Sequence, residues 1–270
     1  MSMFLLLPGP NGARIIAQRP LTSGRDMPEH QPSIALIIKH EKDNAMKLYG
    51  ALASPYVTRV VMLARIKGIE LSLEGIPGNS PRSPEYMAFN PIAKIPSLDV
   101  DGRCIPESDT ICEYLEEAGG GKPGMPEDPL ERATSRLISR IVDLYVAPQT
   151  STFFQQMNPA SRDAEVVATA TEDLNRGLGF LEHFMGPGPF CVGAEPTLGD
   201  CAAAPYLMLI KKVVFANFPE IADPTESAGR LATWWQAIQG HPACKTTVDE
   251  YEAAVDGFMK AMAARITGQQ

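Results

Sequence analysis

The sequence predicts a small α/β domain followed by a larger all-α domain, behind an N-terminal extension that belongs to neither. Three observations carry this. Strand-, helix- and turn-type segments alternate through residues 46–118 in the order β-α-β-loop-β-β-α. From Leu130 onward only helical apolar periodicity remains, and a Gly/Pro-rich stretch from Gly119 to Pro129 separates the two regions. A chain of 270 residues fits this division, since one domain takes about 150.

Composition narrows the function classes. At 44% hydrophobic and 21% charged residues the chain is an ordinary globule able to bury a sizeable core. A net charge of −8 disfavours phosphate backbones and anionic membrane surfaces, and no basic patch offsets it. The expectation is no nucleic acid and no membrane partner. Five scattered cysteines without a Cys-x-x-Cys pair, and only four histidines, point to a reduced intracellular protein without a metal site. Cytoplasmic localisation follows as the expectation.

Residues 1–45 are Pro/Gly-punctuated and read as a mobile extension, with only Ile34 to Ile38 long enough to attempt a strand. Three arginines and no acid among the first 25 residues hint at a transit peptide, which Pro8, Pro10 and Pro20 argue against. Met46 stands directly before a strand-like Lys47-Leu48-Tyr49, so the folded part is expected to begin there, and an upstream start codon stays open.

From Ser54 to Lys67, Val57, Val60, Val61, Leu63 and Ala64 recur at helical spacing, with Pro55 in the first turn and Gly68 as the stop. Glu70 to Glu74 reads as a second strand, followed by a loop over Pro77 to Pro84. Ile95 to Val100 and Arg103 to Ile105 flank Asp101-Gly102, a tight hairpin signal. Ser108 or Asp109 then opens a helix whose apolar stripe is Ile111, Cys112, Tyr114 and Leu115. Four further helices are expected over 130–148, 162–185, 198–214 and 228–240. The domains are accordingly 46–122 and 129–258.

Four short motifs carry chemistry. Ser54-Pro55 sits at a strand-to-helix turn. Its plain reading is an N-cap; its sharper one is a hydroxyl at the positive end of a helix, able to donate to a bound thiolate. In Asn90-Pro91-Ile92-Ala93-Lys94-Ile95-Pro96, the proline at a strand entrance suggests a cis peptide that turns the Ile95 backbone outward, toward an extended peptide ligand. The plain reading there is an edge-strand turn. Pro106-Glu107-Ser108-Asp109 heads a helix, either as a cap or as a site where Ser108 takes a carboxylate and Glu107 an ammonium. Thr197-Leu198-Gly199-Asp200 has capping-box spacing and reads as structural.

In this order, on this arrangement of elements, the four motifs resemble the soluble glutathione transferases over residues 46 to about 250. The resemblance implies a thioredoxin-like α/β domain followed by an all-α helical bundle. Ser54 to Val60 resembles the serine-type active-site turn, while Tyr49, near the end of the first strand, keeps a tyrosine-type site open. By the same resemblance, Ile95 before Pro96 pairs with the cysteinyl backbone of glutathione, Glu107 and Ser108 hold its γ-glutamyl head, and Lys94 reaches its glycine carboxylate. Trp234 to Pro242 is similar to a late helix of the family, and a homodimer is implied.

Ser54 would then act on glutathione as co-substrate rather than as a nucleophile. A free thiol titrates near 8.5, and lowering that by about two units requires about 2.7 kcal/mol. One hydroxyl donor to a charged acceptor, about 1.5 to 3 kcal/mol, plus a helix dipole of about 0.3 to 1, supplies it. Serine at position 54 argues against disulfide exchange, which needs a cysteine. Conjugation, elimination and isomerisation stay open. The electrophile, expected to be small and hydrophobic, is placed against Tyr56, Tyr145, Phe153 and Phe154, although core packing is the stronger claim on each taken singly. The alternatives are a non-catalytic interaction module of the same fold in transcription or translation, and an unrelated helical binding protein with a thioredoxin-like head.

Overall fold

Four short strands form a mixed sheet in the order β4-β3-β5-β6, built from β3 (Met46–Tyr49), β4 (Leu71–Glu74), β5 (Ser97–Val100) and β6 (Arg103–Pro106). The computed structural model describes residues 4–8, 14–18, 46–118 and 120–266. Parallel pairing of β3 with β4 requires a crossover, which α1 (Pro55–Lys67) provides, whereas Asp101-Gly102 closes the antiparallel hairpin β5–β6. Helix α1 ends at Gly68, in the left-handed region at φ 71°. Helices α2 (Pro84–Phe89) and α3 (Ser108–Ala118) complete the α/β part.

The helical part contains α4 (Pro129–Ile141), α5 (Ala147–Gln155), α6 (Ala164–Phe184), α7 (Leu198–Ile210), α8 (Arg230–Gly240) and α9 (Pro242–Ile266). All thirteen residues of α7 are buried. A helix apolar all round belongs in the middle of a core, and α7 lies against α1, α4, α8 and α9. Ala45–Gln270 accordingly form one compact unit. Asp200, in the first turn of α7, accepts the Thr197 N–H at 2.7 Å, the Cys191 N–H at 2.8 Å and the Trp234 indole N–H at 2.7 Å. A fully buried carboxylate is tolerated because its oxygens are satisfied in this way.

Several elements differ from the sequence expectation. The helix expected to stop at Pro148 continues through a widened π turn, Val142–Val146, into α5. A widened turn just before the proline absorbs the backbone hydrogen bond that the ring cannot donate. Helix α2 begins where the expected loop, Pro77 to Pro84, ends and fills a stretch with no expected element; Ser83 starts it, its side chain accepting the Tyr86 N–H. The third strand begins at Ser97 rather than Ile95. In the N-terminal unit, Phe4–Pro8 and Arg14–Gln18 pair antiparallel as β1 and β2. The signal was Asn11-Gly12 between two apolar runs. The expected strand at Ile34–Ile38, and the readings of the remaining extension, lie outside the described residues. Among the described residues no helix is long and apolar enough to cross a membrane, and no cluster of metal-ligating side chains occurs.

Candidate functional site

The turn from β3 into α1 is shaped by Gly50, where a Cβ would come within 2.6 Å of Val57. Thr58 ties it back, donating its hydroxyl to Leu52 O at 2.8 Å. Ser54 precedes α1, and its carbonyl accepts the Thr58 N–H at 3.0 Å. Its side chain makes no capping hydrogen bond. Among the described residues that hydroxyl has no hydrogen-bond partner, and it is half-buried at the end where the helix dipole is positive.

The Ile95–Pro96 peptide bond is cis. A buried polar network holds the loop before it. The amide of Asn90 donates to Lys94 O at 2.9 Å and to Ser97 Oγ at 2.7 Å, and the Tyr86 hydroxyl donates to the same Lys94 carbonyl at 2.8 Å. Buried groups of this kind specify one backbone conformation, because any other leaves several of them unsatisfied. Among the described residues the Lys94 ammonium and the Ile95 backbone polar groups make no hydrogen bond.

Glu107 stands between β6 and α3 with φ at 67°, in the left-handed region. Its carbonyl accepts the Ile111 N–H at 2.9 Å, while its carboxylate has no partner among the described residues. Ser108 follows as the first residue of α3 and is 5% exposed.

These segments meet in a cleft of about 210 Å³ lined by Tyr56, Asn90, Lys94, Ile95, Pro96, Pro106, Glu107, Ser108, Arg140 and Asp143. Behind it lies Arg59 of α1, 1% exposed, whose guanidinium donates to the two Asp143 oxygens at 2.5 and 3.2 Å and stands 3.7 Å from Asp109. Burial opposes the Arg59 charge, but the hydrogen bonds and charge of Asp143 outweigh it, so its pKa is raised. Asp109 also accepts the Ser139 hydroxyl at 2.6 Å. One buried cation thus joins α1, the first turn of α3 and the π turn.

Lys94, Ile95, Pro96, Glu107 and Ser108, expected around glutathione, and Tyr56, expected around the electrophile, line one cleft. Ser54 stands outside the lining, two residues before Tyr56 on the same turn. Tyr49 turns elsewhere, its ring 5.4 Å from Phe89. Three of the four aromatic residues expected around a second substrate are not at the cleft. Phe153 is fully enclosed, 5.1 Å from Phe218, so its ring offers no surface to a ligand. Phe154 packs on the core, and Tyr145 packs at 5.3 Å against Phe180. The face of α5 that carries Phe153 is turned into the bundle, and periodicity alone does not say which face that is. Asn90, Arg140 and Asp143 were missed. Asn90-Pro91 was legible as a turn, but nothing local marks a charge on α4 as facing a different layer.

Comparison with known proteins agrees with this architecture. The glutathione S-transferase N-terminal domain family matches residues 48–123, and the glutathione S-transferase C-terminal domain family matches residues 164–244. A probable glutathione S-transferase of Glycine max is 30% identical over 203 residues, covering 73% of this chain and 85% of its own. A maleylacetoacetate isomerase of Pseudomonas aeruginosa is 29% identical over 209 residues, covering 73% and 96%. A solved glutathione S-transferase from Methylobacterium radiotolerans, in complex with glutathione sulfonate, has 25% identity and a TM-score of 0.61 over 76% of this chain and 95% of that one. With both family domains matched in order across more than half its length, the chain belongs to the glutathione S-transferase family.

Proposed function

We propose that this enzyme binds glutathione in the cleft between the cis-proline loop and the head of α3, and that Ser54 stabilises its thiolate for attack on a small electrophile. One observation carries the reading: Lys94, Glu107 and Ser108 converge on one cleft with no partners of their own among the described residues. Their charges complement glutathione. Glu107 takes the ammonium, Ser108 and the α3 N-terminus take the γ-glutamyl carboxylate, and Lys94 takes the glycine carboxylate. The Ile95 backbone is left to pair with the cysteinyl residue between them. The uncommitted Ser54 hydroxyl supports the serine assignment over Tyr49, whose ring packs on Phe89. Relatives include transferases and isomerases, so conjugation and isomerisation both fit.

Ser54→Ala tests the mechanism. Turnover at neutral pH should fall about ten- to two-hundred-fold, the loss of about 1.5 to 3 kcal/mol from one charge-assisted donor, with glutathione affinity nearly intact. Raising the pH should restore much of the rate, because solvent base then supplies the thiolate. Titration of bound glutathione by thiolate absorbance checks this, with Tyr49→Phe beside it. An unchanged thiol pKa in Ser54→Ala, and a raised one in Tyr49→Phe, would transfer the role to the tyrosine.

A homodimer belongs to the same proposal. Leu130, Leu137 and Leu144 recur every seven residues along α4 and the π turn, exposed at 76, 38 and 50%. An apolar stripe of this kind fits burial against a second copy. Sedimentation should give twice the 29.3 kDa chain mass, and Leu137→Glu should shift it toward the monomer. A wild-type monomer at micromolar concentration would exclude the dimer.

A further inference from the structure

The two residues that the helical part contributes to the cleft are both charged: Arg140 at the end of α4 and Asp143 in the π turn. Asp143 is already neutralised by the buried Arg59. Arg140 is not: among the described residues its guanidinium makes no hydrogen bond or ion pair. Glutathione does not supply the missing counter-charge. On the reading above, its two carboxylates go to Lys94 and to Ser108 at the head of α3, and its ammonium goes to Glu107. One positive charge is left over, on an exposed side chain at the wall that the helical part contributes to the cleft. Of the aromatic residues expected there, Tyr56 lines the cleft from α1, while on the helical part Phe153 is enclosed and Tyr145, 47% exposed, packs against Phe180 outside the lining.

We infer that the second substrate carries an anionic group, of the carboxylate class, held by Arg140. This deepens the proposed function and rests on it. A guanidinium recognises a carboxylate through two parallel N–H donors, so it selects for charge and for planar geometry together. The small hydrophobic electrophile suggested by the sequence would leave Arg140 without a counter-ion in the cleft.

Binding of two preformed conjugates tests the inference without depending on turnover. S-(4-carboxy-2-nitrophenyl)glutathione and its 4-carboxamide differ by one negative charge at the far end of the aryl group, and glutathione itself is the reference ligand. Calorimetry on the full chain should show the carboxylate conjugate binding about ten- to a hundred-fold more tightly than the carboxamide, the range expected for a charge-assisted contact. Arg140→Gln should collapse that ratio, and Arg140→Lys should keep part of it. Equal affinity for the two conjugates in the wild type, or the same ratio in Arg140→Gln, overturns the inference alone. Equal weakening of all three ligands in Arg140→Gln makes Arg140 a glutathione residue and overturns it too. If neither glutathione nor either conjugate binds the wild type, the proposed function fails first and the inference falls with it.

Discussion

Glu107 holds a side chain at φ 67°, where a non-glycine residue costs about 1 kcal/mol or more. A strained residue that also presents an unpaired carboxylate to a cleft is kept for its chemistry. Glu107→Gly should therefore raise stability by about 1 kcal/mol in urea denaturation and weaken glutathione binding. Glu107→Gln should weaken binding without that gain, because its backbone stays strained. A Glu107→Gly protein that binds glutathione as tightly as the wild type would remove Glu107 from the site. Arg59 is the opposite case, a buried charge that is structural first. Arg59→Met leaves Asp143 and Asp109 facing each other without their cation, and should destabilise the fold by about 3 to 5 kcal/mol. The double variant Arg59→Met/Asp143→Leu should recover part of the loss, as chemical denaturation of both would show.

The π turn between α4 and α5 decides where Asp143 points, and α6 presses directly against it. A Cβ on Gly177 would lie 2.6 Å from the Tyr145 carbonyl oxygen. Gly177→Ala must push the π turn away, and should cost about 1 to 3 kcal/mol. Gly179, two residues along the same helix, has nothing within 4 Å of its Cβ position. Gly179→Ala should stabilise by up to about 1 kcal/mol from helix propensity alone. Thermal unfolding of the pair separates close packing from propensity, and equal shifts in both would contradict the clash. The apolar periodicity of both helices was legible in the sequence. The close approach at Gly177 was not, because it depends on which residue of another helix lies opposite.

At the scale of the whole molecule, Cys112, Cys191, Cys201 and Cys244 are enclosed in the core that the two parts share. Burial pushes all four thiols up, that of Cys244 to about 12. In the unfolded chain they ionise near pH 8.5, so above that pH the unfolded state binds fewer protons than the folded state. The sign is thus a loss of stability with rising pH, of about 1.4 kcal/mol per pH unit per thiol until the folded pKa is reached. Urea midpoints at pH 8, 9 and 10 should fall accordingly, and Cys244→Ala should flatten the slope. Midpoints level across that range would show the thiols to be accessible. A thiol reagent should label Cys104, on the edge strand, well before the other four.

The sequence by itself determined the order of elements, an α/β part followed by a helical part, the Asp101-Gly102 hairpin, and Lys94, Ile95, Glu107 and Ser108 as residues that line one cleft. Each of these is written in local chemistry: period, turn residues, a proline before a strand, a hydroxyl at a helix head. Tertiary structure alone decided that Arg59 would be buried between Asp143 and Asp109, that Arg140 would line the cleft without a partner among the described residues, and that Phe153 would face the core. The physical reason is the same in each case. Pairing, burial and facing are relations between distant segments, 50 and 84 residues apart for the two partners of Arg59, set by how α1, α3, α4 and α7 pack on one another, and no local propensity encodes them.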